Sequence, residues 1–240
     1  MPDAMGHSVE KQHAPKPRQR RRRQADRREE SCESILDAAE ELFAQRGYHG
    51  VTLREIAKAS GADTSLLHYY FGTKDALFKA VIERRADMVN NSRMASLDAY
   101  DAECGGDYTA LGLVSAYLKP TFEFMIKGEP GHLNYGALVA KLNSTVSDPE
   151  LKIAETPFDG VVHRLVKMMR RVRPDLSDAD FYWFYHMMSG SISLSLAQTG
   201  RIDVLSSGQC RSDDFVTILE HMTDLYGRAL MQMGTGPSGA

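Results

Sequence analysis

The sequence predicts an all-α protein: an N-terminal three-helix unit followed by a larger helical bundle. Three observations predict it. Apolar residues recur at helical spacing from Ile35 to Met233, no convincing run alternates as a half-buried strand would, and two short helical patterns meet at a single glycine between Thr52 and Ala80.

In chain order, Ile35, Leu36, Ala39, Leu42 and Phe43 form the first apolar stripe, and Gly47 is placed to end it. Thr52 can cap the next helix while Glu55 reaches back to it as a capping box, which puts Leu53, Ile56, Ala57 and Ser60 on one face. Gly61 admits the positive φ of a tight reversal, and Asp63 or Thr64 can cap the helix after it. There Leu66 with Tyr70, and Leu67 with Phe71, stand four apart and bury, turning Thr64, Ser65, His68 and Tyr69 outward. After Gly72, Thr73 can cap a third helix, and Lys74 sits beside unpaired amides at the positive end of its dipole, a good seat for a phosphate. Leu77, Phe78, Val81, Ile82 and Met88 carry that helix toward Asp98, so the connection between the two units is helical. Residues 101 to 107 break the pattern, and further helices are expected over 108–127, 132–146, 149–173, 177–199 and 212–233.

Two helices around a three-residue reversal, with hydrogen-bonding side chains on the outer face of the second, make a helix-turn-helix pattern. An α-helix fits the DNA major groove, where the start of the second helix meets base edges and flanking groups hold phosphates. Ser and Thr accept several bases, so these residue types suit the task without naming a sequence. Any compact helical protein also joins amphipathic helices by glycine.

The segment from about 33 to 82 resembles the DNA-binding domain of the TetR family of bacterial transcriptional regulators. The matching elements are Phe43, Ala44, Gly47 and Tyr48; Thr52, Ile56 and Ala57; Gly61 and Ala62; and Phe71, Lys74 and Leu77. The position three before Phe71, commonly a phosphate-touching Tyr in the family, is His68, with Tyr69 beside it. The resemblance implies a DNA interface of Thr52, Arg54, Thr64, Ser65, His68, Tyr69 and Lys74, with either His68 or Tyr69 on the backbone. It also implies a homodimer on a pseudo-palindromic operator in double-stranded DNA, acting as a repressor that a small-molecule effector releases. The expected organisation is a basic disordered arm over 1–30, the helix-turn-helix domain over 31–80, an effector-binding and dimerisation domain over 81–233, and a flexible tail over 234–240.

Charge supports a nucleic-acid partner. The formal net charge is −3, yet residues 1 to 32 hold nine Lys or Arg against five Asp or Glu, leaving 20 against 27 elsewhere. Arg18, Arg20, Arg21, Arg22, Arg23, Arg27 and Arg28 form the densest run, and each phosphate contact would release condensed counterions. A minor-groove arm, a solvated tail, and a nonspecific or architectural nucleic-acid binder using this run as its main contact all fit that composition. A membrane partner does not, because the run lacks interleaved large apolar residues. With no long apolar span and no apolar signal core near the N-terminus, the protein is expected in the cytoplasm.

Two helices have interface character. Phe215, Ile218, Leu219, Met222, Leu225, Tyr226, Ala229, Leu230 and Met233 form a wide stripe, and the helix beginning at Ser177 with Asp180 passes from the block FYWFYHMM into small residues. Core burial explains such stripes as well as dimerisation does. The family resemblance points to 177–199 and 212–233 as the dimer face. It also implies a pocket, for which Tyr117, Phe122, Phe124, Met125, Tyr135, His163, Met168, Trp183, His186 and Met187 are candidate lining residues. Methionines and aromatics at helical spacing also simply fill cores. SDPEL over 147–151 and the aromatic helix from Phe181 resemble regulators of lipid and aromatic-acid catabolism within the family, which implies an acyl-CoA or aromatic-acid effector.

No enzyme, cofactor or metal is expected. Gly234, Gly236 and Gly239 spell GxGxxG without a preceding strand or a following helix. The eight histidines show no HExxH, Cys32, Cys104 and Cys210 lie far apart, and no GxSxG occurs.

Overall fold

A computed structural model describes residues 17–128, 130–144 and 158–234. Its helices are α1 (Pro17–Arg46), α2 (Leu53–Ser60), α3 (Thr64–Phe71), α4 (Lys74–Cys104), α5 (Ala110–Ile126), α6 (Pro130–Ser144), α7 (Asp159–Val172), α8 (Asp178–Leu196), α9 (Arg201–Leu205) and α10 (Phe215–Gln232), with no strand among the described residues. None of these helices is long and apolar enough to cross a membrane.

Local chemistry accounts for most helix ends. Thr52 and Glu55 form the reciprocal capping box at α2, Asp63 caps α3 through the Ser65 amide, and Thr73 caps α4. Ser177 and Asp180 form a second capping box at α8, and Asp214 caps α10. Each side-chain cap satisfies an amide the helix itself cannot pair. The C-terminus of α10 is closed from outside: the buried Arg173 guanidinium donates to the carbonyls of Leu230, Met231 and Met233, each at 2.7 Å.

Two apolar cores result. The smaller packs α1 to α3 and the start of α4 around Ile35, Phe43, Ile56, Leu67, Leu77 and Ile82, while the larger gathers α4, α5, α6, α7, α8 and α10 around Tyr117, Phe122, Leu165, Phe181 and Leu230. Helices α4 and α6 belong to both. Leu138 of α6 is buried in the small core, whereas Tyr135 and Val139 of the same helix enter the large one.

The structure corrects several expected boundaries. Helix α1 continues back to Pro17, so the arginines from Arg18 to Arg28 lie on a helix and not in a disordered arm; residues 1–16 lie outside the described residues. A proline at the first helical position lacks only an amide that would go unpaired anyway, and Arg, Gln and Glu favour helix. Helix α4 passes Asp98 and stops at Gly105, where φ is 58°. Arg164 of α7 holds that last stretch by binding Asp98 at 2.9 Å and Asp101 at 2.8 Å. Helix α10 begins at Phe215, three residues later than expected, because Asp214 is its cap. Short α9 was not anticipated. The expected start of the 149–173 helix, the SDPEL phrase and most of the GxGxxG tail fall outside the described residues.

Candidate nucleic-acid interface and effector region

The α2–α3 reversal is built as its sequence predicts. Gly61 takes φ 70°, a left-handed conformation that side chains with a Cβ rarely adopt. The Thr52 amide donates to the Glu55 carboxylate at 2.9 Å, the Thr52 hydroxyl receives the Glu55 amide at 3.3 Å, and Arg46 meets Glu55 at 2.7 Å. The Thr52 bonds, aided by Arg46, hold the Glu55 carboxyl below its ordinary range. Thr52, though exposed, is thus engaged in fixing the helix start.

On α3, Leu67 is buried and Leu66, Tyr70 and Phe71 are partly so, while Ser65, His68 and Tyr69 are exposed and Thr64 is half-buried. Arg54 on α2 is exposed too. The His68 Nδ1 lies 2.9 Å from the Gly72 carbonyl, which only accepts, so Nδ1 carries the hydrogen. That bond folds the imidazole against its own helix end. Tyr69 is 70% exposed, and the Arg28 guanidinium lies 5.7 Å from its ring and 5.6 Å from that of Tyr70. Helix α1 therefore brings Arg28 beside α3. Lys74 opens α4 with its ammonium 4.2 Å from the Tyr48 ring centre; partial burial lowers its pKa, opposed by the Glu55 charge. Neither the Arg28 contact nor the Tyr48 contact was evident from sequence, because both join residues more than twenty-five positions apart.

In the C-terminal domain the structure separates the expected lining residues. Tyr117, Phe122, Met125, Tyr135 and Met168 are buried and Phe124 partly so. His163, Trp183, His186 and Met187 are instead exposed, the Trp and Met each at 61%. Helix rotation explains the correction. The inner side of α8 is Phe181, Phe184, Met188, Ile192 and Leu196, which turns Trp183, His186 and Met187 away. Likewise α7 buries Val161, Val162, Leu165, Val166 and Met169, leaving His163 outside.

The outward side of α8 carries Trp183, Met187 and Leu194, and α10 exposes Val216, Leu225 and Met231. The two helices are tied together: Tyr226 of α10 donates its hydroxyl to the Met187 carbonyl at 3.0 Å and packs edge-on to Phe184. The expected α10 stripe is thus divided, with Phe215, Met222, Tyr226 and Leu230 inward and Leu225 outward.

Sequence reading missed Arg93. It is 6% exposed on α4, with Nε donating to the Thr121 hydroxyl at 2.8 Å and its guanidinium 4.6 Å from the Tyr117 ring centre. The signal was present: Val89, Arg93 and Leu97 fall four apart on the buried stripe of the helix.

Two family models match this chain. One, for the bacterial regulatory proteins of the tetR family, matches residues 35–81, and the other, for the tetracyclin repressor-like C-terminal domain, matches residues 115–226. The HTH-type transcriptional regulator RutR of Escherichia coli strain K12 is 33% identical over 90 residues, which are 38% of this chain and 39% of RutR. The match therefore spans well under half the length of that relative. Among solved structures, the hemolysin II transcriptional regulator HlyIIR superposes with TM-score 0.56 at 19% identity, covering 82% of this chain and 99% of HlyIIR. A TetR-like transcriptional regulator from Rhodococcus sp. RHA1 gives TM-score 0.56 at 16% identity, covering 85% of this chain and 96% of that one. At such identities the likeness is one of fold, and it extends over both helical units. With the N-terminal model on the three-helix unit and the C-terminal model on the bundle, the chain belongs to the TetR family of bacterial transcriptional regulators.

Proposed function

We propose that this regulator is a homodimer that grips a pseudo-palindromic operator in duplex DNA through α2, α3 and the start of α4, and represses until an effector enters the α4–α8 region. The observation that carries the reading is the exposed row Ser65, His68 and Tyr69 on α3, standing outward from a reversal fixed by Gly61 and two side-chain caps. Ser65 and Thr64 at the start of α3 are the base-reading groups; Lys74, Tyr69 and the neighbouring Arg28 hold phosphates. Tyr69, not His68, takes the backbone role, because the His68 ring is bound to Gly72. Trp183, Met187, Leu194 and Leu225 form the dimer face, whose burial removes large apolar groups from water. The buried core around Tyr117 and Tyr135 is where an acyl-CoA or aromatic acid would act.

An effector shifts DNA affinity only if it binds the two states of the protein unequally. Helices α4 and α6 each enter both cores, so displacing either one in the large core moves its contacts with α1.

Selection of bound duplexes from a randomised pool tests the DNA assignment. The expected result is one enriched pseudo-palindrome with half-sites centred about one helical turn apart, roughly 34 Å. Binding that any competitor duplex abolishes equally would move the contact to the arginine-rich stretch of α1 and favour a nonspecific binder.

A further inference from the structure

We infer that Arg93 is the anion anchor of the effector site and that the effector is an organic carboxylate; this rests on the effector-responsive reading above and specifies its ligand.

A buried guanidinium normally meets a carboxylate, since a lone charge is costly away from water. Arg93 has no such partner among the described residues. Its Nε is satisfied by Thr121 of α5, and one face of the group rests on the Tyr117 ring. These two contacts orient the fork while Nη1 and Nη2 make no hydrogen bond with a described residue. The nearby phenols do not neutralise it: burial raises the pKa of Tyr135 on α6 and of Tyr185 on α8 well above the ordinary range, so both stay uncharged hydroxyls. A cation held in a fixed plane by the Thr121 hydroxyl and the Tyr117 ring, with two neutral phenols nearby, matches a carboxylate attached to an apolar body. Two parallel N–H bonds to its oxygens supply the missing counter-charge. A neutral amide of the same shape offers one oxygen and no charge.

The placement also serves regulation. Arg93 stands on α4 and Tyr135 on α6, the two helices that enter both cores, so an anion drawn between them acts on both connections to α1.

The test compares benzoate and octanoate with benzamide and octanamide on the full-length protein, reading affinity by calorimetry and DNA release by fluorescence anisotropy. The carboxylates are expected to bind saturably and raise Tm, with the amides about 100-fold weaker. Arg93→Gln should weaken carboxylate binding about 100-fold and amide binding only a few-fold, with Arg93→Lys recovering part of the carboxylate loss. Should Arg93→Gln not fold, Thr121→Val removes only the orienting bond and should weaken carboxylates about tenfold. Equal binding of acids and amides, no binding of either acid, or unchanged carboxylate affinity in these variants would overturn the anchor. Release of DNA by amides alone overturns the anchor and keeps the effector-responsive reading; carboxylate binding through Arg93 without any change in DNA affinity does the reverse.

Discussion

Replacing Trp183 and Leu225 together by Glu is expected to convert the regulator from a dimer to a monomer of 26.7 kDa and to weaken operator binding by at least about 100-fold. Both side chains are more than half exposed, so neither contributes to the fold of the isolated chain and the helical content should not change. The effect on DNA arises because two linked reading helices convert the second half-site contact into an intramolecular event, a gain the monomer loses. Buried carboxylates at a two-fold face would also oppose their own copies, since the same patch appears on both subunits. Light scattering measures the mass and anisotropy the affinity. A wild-type chain that is already monomeric, or a variant that stays dimeric, contradicts the assignment of this face.

The second large effect is expected at Glu40. Its side chain is 2% exposed and accepts from Arg84 at 2.5 Å and Arg85 at 2.9 Å, joining α1 to α4. The start of α6 closes over the pair: Gly131 lies where a Cβ would overlap the Arg85 guanidinium. Glu40→Ala leaves two largely buried guanidinium groups short of a carboxylate and should cost about 3 kcal/mol, a Tm decrease of roughly 9 °C. Glu33 also binds Arg84, at 2.9 Å, but is 57% exposed, and Glu33→Ala should cost about 0.5 kcal/mol or less. Thermal or urea unfolding of the two variants settles the ranking. Similar losses would mean that burial of Glu40 is not what makes its ion pair matter.

Much of the division into a three-helix unit and a larger bundle was legible in sequence because its determinants are local. Thr52 with Glu55, Gly61, Asp63, Thr73 and Ser177 with Asp180 act within four residues of one another, and each stands as its spacing predicts. What was not legible depends on how helices rotate against neighbours distant in sequence. Trp183 and Phe184 are adjacent aromatics, yet successive residues point about 100° apart on a helix, so Phe184 meets Tyr226 of α10 in the core while Trp183 faces solvent. Arg93 was not singled out in the sequence, because its surroundings come from Thr121 and Tyr117 of α5, more than twenty positions away. The reach of α1 back to Pro17 was missed for a different reason: a dense run of arginines reads as a solvated tail, although nothing in it breaks a helix.

Under the proposed function α3 reads bases while the start of α4 holds the backbone, and the affinities of wild type, Ser65→Ala, Thr64→Ala and Lys74→Ala across single-base variants of the selected operator decide it. Lys74→Ala is expected to weaken every sequence by a similar factor and to reduce the salt slope by about one, whereas the Thr64 and Ser65 changes should flatten discrimination at specific positions of each half-site. Uniform loss on every operator variant for all three substitutions would contradict that division.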